Sequence, residues 1–107
     1  MHARTSTWSG TPEALQAWTD HCGGQVKGFV EGLPGNAGVM FFVDAENGEA
    51  LTLTLWDTEA AAAASDQFAE RSRQSTVDAT GVSLVARGAY EVVAGSEALT
   101  GPLAQAG

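Results

Sequence analysis

Few side chains in this sequence can do chemistry, and they fall on short apolar segments. Trp8 and Trp56 offer indole faces on which a flat ring can stack. Thr52, Thr54 and Tyr90 offer hydroxyls, and Arg87 offers a fixed positive fork for an anionic oxygen. Met40 and Phe42 add adaptable apolar surface. Each also has a plainer role: Trp56 as core or subunit contact, Met40 and Phe42 as interface packing, Arg87 on a partner carboxylate or water, Tyr90 as a satisfied core hydroxyl.

Other chemistries lack their residues. No glycine-rich phosphate loop, no Ser/His/Asp arrangement and no carboxylate pair inside one element occurs. The glycines of "GLPGNAG" serve a turn between helix and strand. His2 is terminal, and His21 reads as solvent-facing on a helix, so no metal-ligand spacing exists and no metal is expected. Cys22 is the only cysteine and reads as a small core residue. Five Lys/Arg against thirteen Asp/Glu give a net charge of −8, which removes the phosphate neutralisation that nucleic acids and anionic membranes require. No apolar run is long enough to span a bilayer, and "MHARTSTWSG" lacks the features of a secretory signal, so a cytoplasmic location is expected.

The elements that position these residues follow from local signals. The 107 residues suit one domain, and a 44% apolar composition suits a folded one. "ARTSTWS" (3 to 9) reads as a strand. Thr11, Pro12 and Glu13 then form a helix start: cap, first helical position and acidic first turn. Leu15, Trp18, Cys22, Val26, Phe29 and Leu33 recur at three or four residues, predicting one long helix to about Gly32, softened at Gly23 and Gly24. "LPG" ends it.

"GVMFFVD" (38 to 44) and residues 51 to 56 read as two strands joined by a tight turn at Asn47-Gly48. Asp57, Thr58 and Glu59 start a second helix, expected to reach Arg73 with Ala60, Ala64 and Phe68 on its buried side; residues 74 to 81 read as a loop. "VSLVARGAYEVV" is the last strand, with a bulge expected near Gly88. Residues 94 to 107 read as a loosely ordered tail. In "LTLTLW", Leu51, Leu53 and Leu55 alternate with Thr52, Thr54 and Trp56, and neither side suits water. The Thr/Trp side must therefore meet a second sheet, a partner subunit or a ligand.

The order β-α-β-β-α-β makes an α+β, ferredoxin-like, four-stranded antiparallel sheet with both helices on one face. With "LPG" before the second strand, "LTLTLWDTEAA" across the third strand and second helix, and "YEVV" closing the fourth, the sequence over residues 3 to 93 resembles the antibiotic biosynthesis monooxygenase-like (ABM-like) proteins of the dimeric α+β barrel superfamily. The resemblance implies a homodimer formed by two bare sheet faces, with Thr52, Thr54 and Trp56 inside the barrel and Leu51, Leu53 and Leu55 under the helices. It also implies a reaction without cofactor, in which an ionised aromatic phenol, quinol or anthrone reduces molecular oxygen itself. Trp56 matches the strand-end tryptophan; Thr52 stands where one branch has asparagine, and Ala62 where it has tyrosine. A haem-degrading branch has an asparagine and a histidine that this sequence lacks. On this reading Trp56, Thr52, Arg87 and Tyr90 are the catalytic candidates, and Thr54, Met40, Phe42 and Trp8 line the substrate. The alternative is a non-catalytic dimeric protein of the same fold that binds a small ligand or acts as an accessory.

Overall fold

The computed structural model describes residues 1–103. Its elements run β1 (His2–Ser9), α1 (Pro12–His21), a π-helical segment (Cys22–Val26), α2 (Lys27–Glu31), β2 (Asn36–Asp44), β3 (Glu49–Trp56), α3 (Glu59–Thr80), β4 (Ser83–Glu91) and α4 (Glu97–Thr100). The strands form one antiparallel sheet in the order β2-β3-β1-β4, the ferredoxin-like arrangement expected.

Local chemistry explains the helix starts. Thr11 accepts a hydrogen bond from the Ala14 amide, with Pro12 inside the first turn, and Thr58 does the same for Ala61 at the head of α3. The softening expected at Gly23 and Gly24 takes a definite form. The Lys27 amide reaches back to the Cys22 carbonyl, an i to i+5 bond, so one π turn sits between two α-helical stretches. The extra residue moves the apolar phase: Val30, not Phe29, follows Cys22 and Val26 into the interior, and Phe29 is left half-exposed.

The core on the helix-covered side has two parts. Trp8, Leu15, Trp18, Cys22, Ala50 and Val82 pack at one end, and Val30, Trp56 and Ala62 at the other, with Val26 touching both. The expected facing of β3 is thereby reversed. Trp56 is buried against α2 and α3, so it and Thr52 and Thr54 lie beneath the helices, while Leu51, Leu53 and Leu55 are on the opposite side. Alternation fixes which residues share a face but not which face the helices cover. Here the large indoles of Trp8 and Trp56 decide, because they bury the most area.

Three further expectations are corrected. First, α3 does not stop at Arg73 but continues to Thr80 and ends at Gly81, whose φ of 83° closes a left-handed cap. Thr76 and Thr80 are buried there because each hydroxyl donates to the carbonyl one turn back, at 2.9 and 2.7 Å. Second, the buried side of α3 carries Ala62, Ser65, Thr76 and Thr80, while Ala60 and Ala64 are exposed. A run of alanines has no phase of its own, and Phe68 pairs with Phe29 at 6.3 Å instead of entering the core. Third, the strand irregularity falls at Val85, where the β1–β4 register slips, and Gly88 stays in register opposite Thr5. The Tyr90 ring lies over Gly88, so a Cβ there would push aside that ring and the Thr5 hydroxyl.

Between β2 and β3 the turn is a four-residue loop, Ala45–Gly48, with Asn47 held by the Asp44 carboxylate and Gly48 at a φ of 69°. Gly35, at a φ of 79°, lets α3 come close, since a Cβ there would lie 2.5 Å from that of Ala61. Of the tail, residues 94 to 103 include the single turn α4, and 104–107 lie outside the described residues.

Candidate functional site

Between the covered face of the sheet and the helices lies a half-enclosed cavity of about 720 Å³. The strand register lays out its floor in rows. Arg87, Ser6 and Thr52 form one row, and Ala89, Arg4 and Thr54 the next, with Trp8 at one end and Trp56 at the other. The roof comes from Cys22, Val26, Phe29 and Val30, and the side wall from Ser65, Asp66, Glu70, Arg73 and Thr76 of α3.

Hydrogen bonds lock this floor. The Trp56 indole N–H donates to Thr54 Oγ1 at 2.9 Å, and that hydroxyl donates to the Arg4 carbonyl at 3.4 Å. Thr54 has thereby used its only proton. Trp8 Nε1 donates to Thr52 Oγ1 at 3.1 Å, and the Thr52 proton has no acceptor among the described residues. Thr52 is therefore able to donate to a ligand oxygen, and so is Ser6, whose hydroxyl has no partner among the described residues. Ser6, in the same row, is buried beside it.

The charges lie along one side. Arg4 Nε meets Asp66 Oδ1 at 3.3 Å. Arg73 lies close enough to Arg87 that burial, and then that second positive charge, lower its pKa, while Asp66 and Glu70 pull it partway back. In the roof, burial pushes the Cys22 thiol up to about 12, so it is an inert packing residue at neutral pH. No cluster of three or more metal-ligating side chains occurs among the described residues, and no described helix is long and apolar enough to cross a membrane.

Of the residues picked out from sequence, Trp8, Thr52, Thr54, Trp56 and Arg87 come together around this cavity. Met40, Phe42 and Tyr90 do not. They pair with Leu53, Leu51 and Ala3 on the uncovered side, with Met40, Phe42 and Tyr90 all exposed. The phenylalanine on the covered side is Phe41, edge-on to Trp18 at 5.9 Å. Sequence reasoning missed Ser6, Arg4, Asp66 and Arg73. Asp66, Ala69, Arg73 and Thr76 recur at helical spacing, a signal obscured by ending the helix at Arg73.

No protein-family model matches the chain, and no curated protein matches it. Solved structures do. A candidate antibiotic biosynthesis monooxygenase from Deinococcus radiodurans superposes with a TM-score of 0.64 at 19% identity, covering 90% of this chain and 96% of that one. A monooxygenase from Streptomyces coelicolor in complex with the ligand nanaomycin D superposes with a TM-score of 0.66 at 14% identity, covering 89% of this chain and 88% of that one. The fold is that of the ABM-like structures, as the resemblance implied.

Proposed function

We propose that this chain is a cofactor-independent monooxygenase acting on a hydrophobic phenol, quinol or anthrone in the cavity over Trp8, Thr52 and Trp56. One observation carries the reading: a cavity of about 720 Å³ with an apolar roof and a tryptophan at each end of its floor, into which the floor brings a spare Thr52 proton and arginines. That volume is within the range of ordinary small-molecule sites. The ligand-bound Streptomyces coelicolor neighbour, a monooxygenase, supports the same reading by fold.

The chemistry asked of the protein is modest. Ionising an anthrone-type ring leaves a delocalised anion; Thr52 donates to the negative oxygen as it forms, and the Arg87 charge in the same row favours the ionised ring. The walls hold the ring and exclude water. The anion transfers electrons to oxygen, and the ring CH₂ plus O₂ becomes C=O plus water, so atoms and electrons balance without a bound redox group. Trp56 anchors the floor; its indole is only 2% exposed and acts by packing more than by stacking.

A homodimer belongs to this reading, as does a cytoplasmic location. Met40, Phe42, Leu51, Leu53 and Tyr90 make the uncovered face apolar, a patch suited to a second copy of the same face. One observation favours the alternative, a non-catalytic binding protein: Ala62, fully buried against Trp56, brings no hydroxyl to that end of the cavity. Oxygen consumption separates the two. With dithranol, an anthrone, uptake should exceed the uncatalysed rate and fall at least about tenfold in Thr52→Val and Arg87→Met, the size expected for removing a transition-state contact. Ligand binding without uptake would establish the alternative.

A further inference from the structure

The chain has a net charge of −8 and only five Lys/Arg, yet Arg4, Arg73 and Arg87 all line one cavity. Arg4 is committed to Asp66. Arg73 and Arg87 come from different walls, α3 and β4, and neither has a carboxylate within ion-pair distance among the described residues. Arg73, half-buried, and Arg87, exposed at the cavity's edge, border the same space and leave two unpaired guanidinium forks for an entering anion. Arg73 feels Arg87: its charged form is disfavoured first by burial and then by that second positive charge, and Asp66 and Glu70 offset only part of this.

We propose that the cavity's ligand is an aromatic acid, its ring over the Thr52 floor and its carboxylate held between Arg73 and Arg87. This rests on the aromatic-cavity reading above and adds the class of substrate. A carboxylate fits because a guanidinium presents parallel N–H donors matched to two coplanar oxygens. A phosphate fits less well: Asp66 and Glu70 stand on the same wall and repel a dianion more than a monoanion, and no glycine-rich loop supplies backbone donors. The arrangement also sets the ligand's direction. With the acid at the α3–β4 side, the reacting part of the ring lies toward Thr52 and the middle of the floor.

Calorimetric titration of the full chain with anthraquinone-2-carboxylate and with anthraquinone-2-carboxamide tests this, since the two probes share ring and shape and differ in bearing an anionic acid or a neutral amide. The carboxylate should bind about tenfold more tightly at low salt, and Arg73→Gln and Arg87→Gln should each bring the ratio to within about twofold, as expected for a charge-assisted contact. Thermal melts of both variants verify folding. Equal binding of the two probes to the unaltered protein overturns the acid site but leaves the aromatic cavity standing. Failure of both probes overturns both. A carboxylate preference that survives in both variants overturns the assignment to these arginines.

Discussion

The two faces of the sheet invert the usual division between covered and uncovered surface. Under the helices, the strands present Arg4, Ser6, Thr52 and Thr54 between two tryptophans, with Arg87 exposed at the edge of the same row; on the open side they present Met40, Phe42, Leu51, Leu53 and Tyr90. A sheet with one covered face ordinarily keeps its polar residues outside. Here the polar residues are inside, and they are tolerated because the threonines accept from the indoles and Arg4 is paired. On the proposed reading, the covered face holds a ligand and the open face meets a second copy.

The sharpest way to break this comparison is to charge the open face. Leu53 sits at its centre, between Met40 and Thr5. Leu53→Glu should convert a dimer into a monomer, weakening association by at least about 3 kcal/mol, since each copy would bury an unpaired carboxylate. Light scattering across a concentration series reads this directly. If the unaltered chain is already a monomer at micromolar concentration, the open face has no twin and that half of the comparison fails.

The next largest effect belongs to the covered face. Trp56→Ala should cost about 3 to 5 kcal/mol in urea unfolding at fixed protein concentration, the range for removing a buried aromatic. The indole is buried against Val30 and Ala62 and donates to Thr54, so both packing and a hydrogen bond are lost. A cost below about 1 kcal/mol, the level of an ordinary surface change, would mean that the helices do not close on this face.

That face was the hardest feature to read from residues alone. The starts at Thr11-Pro12 and Thr58, the turn at Gly35 and the succession of helices and strands were legible because each depends on neighbours in sequence. The identity of the covered face depends on which side of β1 carries Trp8 and on where the π turn aims Val26 and Val30, both long-range facts. Parity puts Met40 and Phe42 on the open face, and Phe41 is the covered neighbour of Thr52. The far half of α3 was hidden by Thr76 and Thr80, polar by composition but satisfied by their own helix. The arginine pair was invisible because Arg73 and Arg87 meet only through tertiary packing.

Smaller changes sharpen the account of how polar groups live under the helices. Thr52→Val keeps shape but leaves the Trp8 indole N–H, on a residue 3% exposed, without its acceptor. The expected loss is about 1 to 2 kcal/mol of stability in urea unfolding, the penalty for a buried unpaired donor. No loss would mean that the hydroxyl holds nothing in the resting protein, and the locked floor would have to be abandoned.

The smallest effect concerns the roof. Gly23 and Gly24 sit in the π turn at negative φ, and a Cβ added to either would meet nothing within 4 Å. Neither space nor a left-handed backbone therefore requires glycine, and what remains is their cost in unfolded-state entropy. Gly23→Ala should raise stability by about 0.5 to 1 kcal/mol, seen as a melting temperature a few degrees higher. If the melting temperature falls instead, the π turn itself depends on glycine's freedom. Cys22 and Val26 would then be held over the cavity by a strained roof, and the covered face would owe its open interior to that turn as well as to its polar floor.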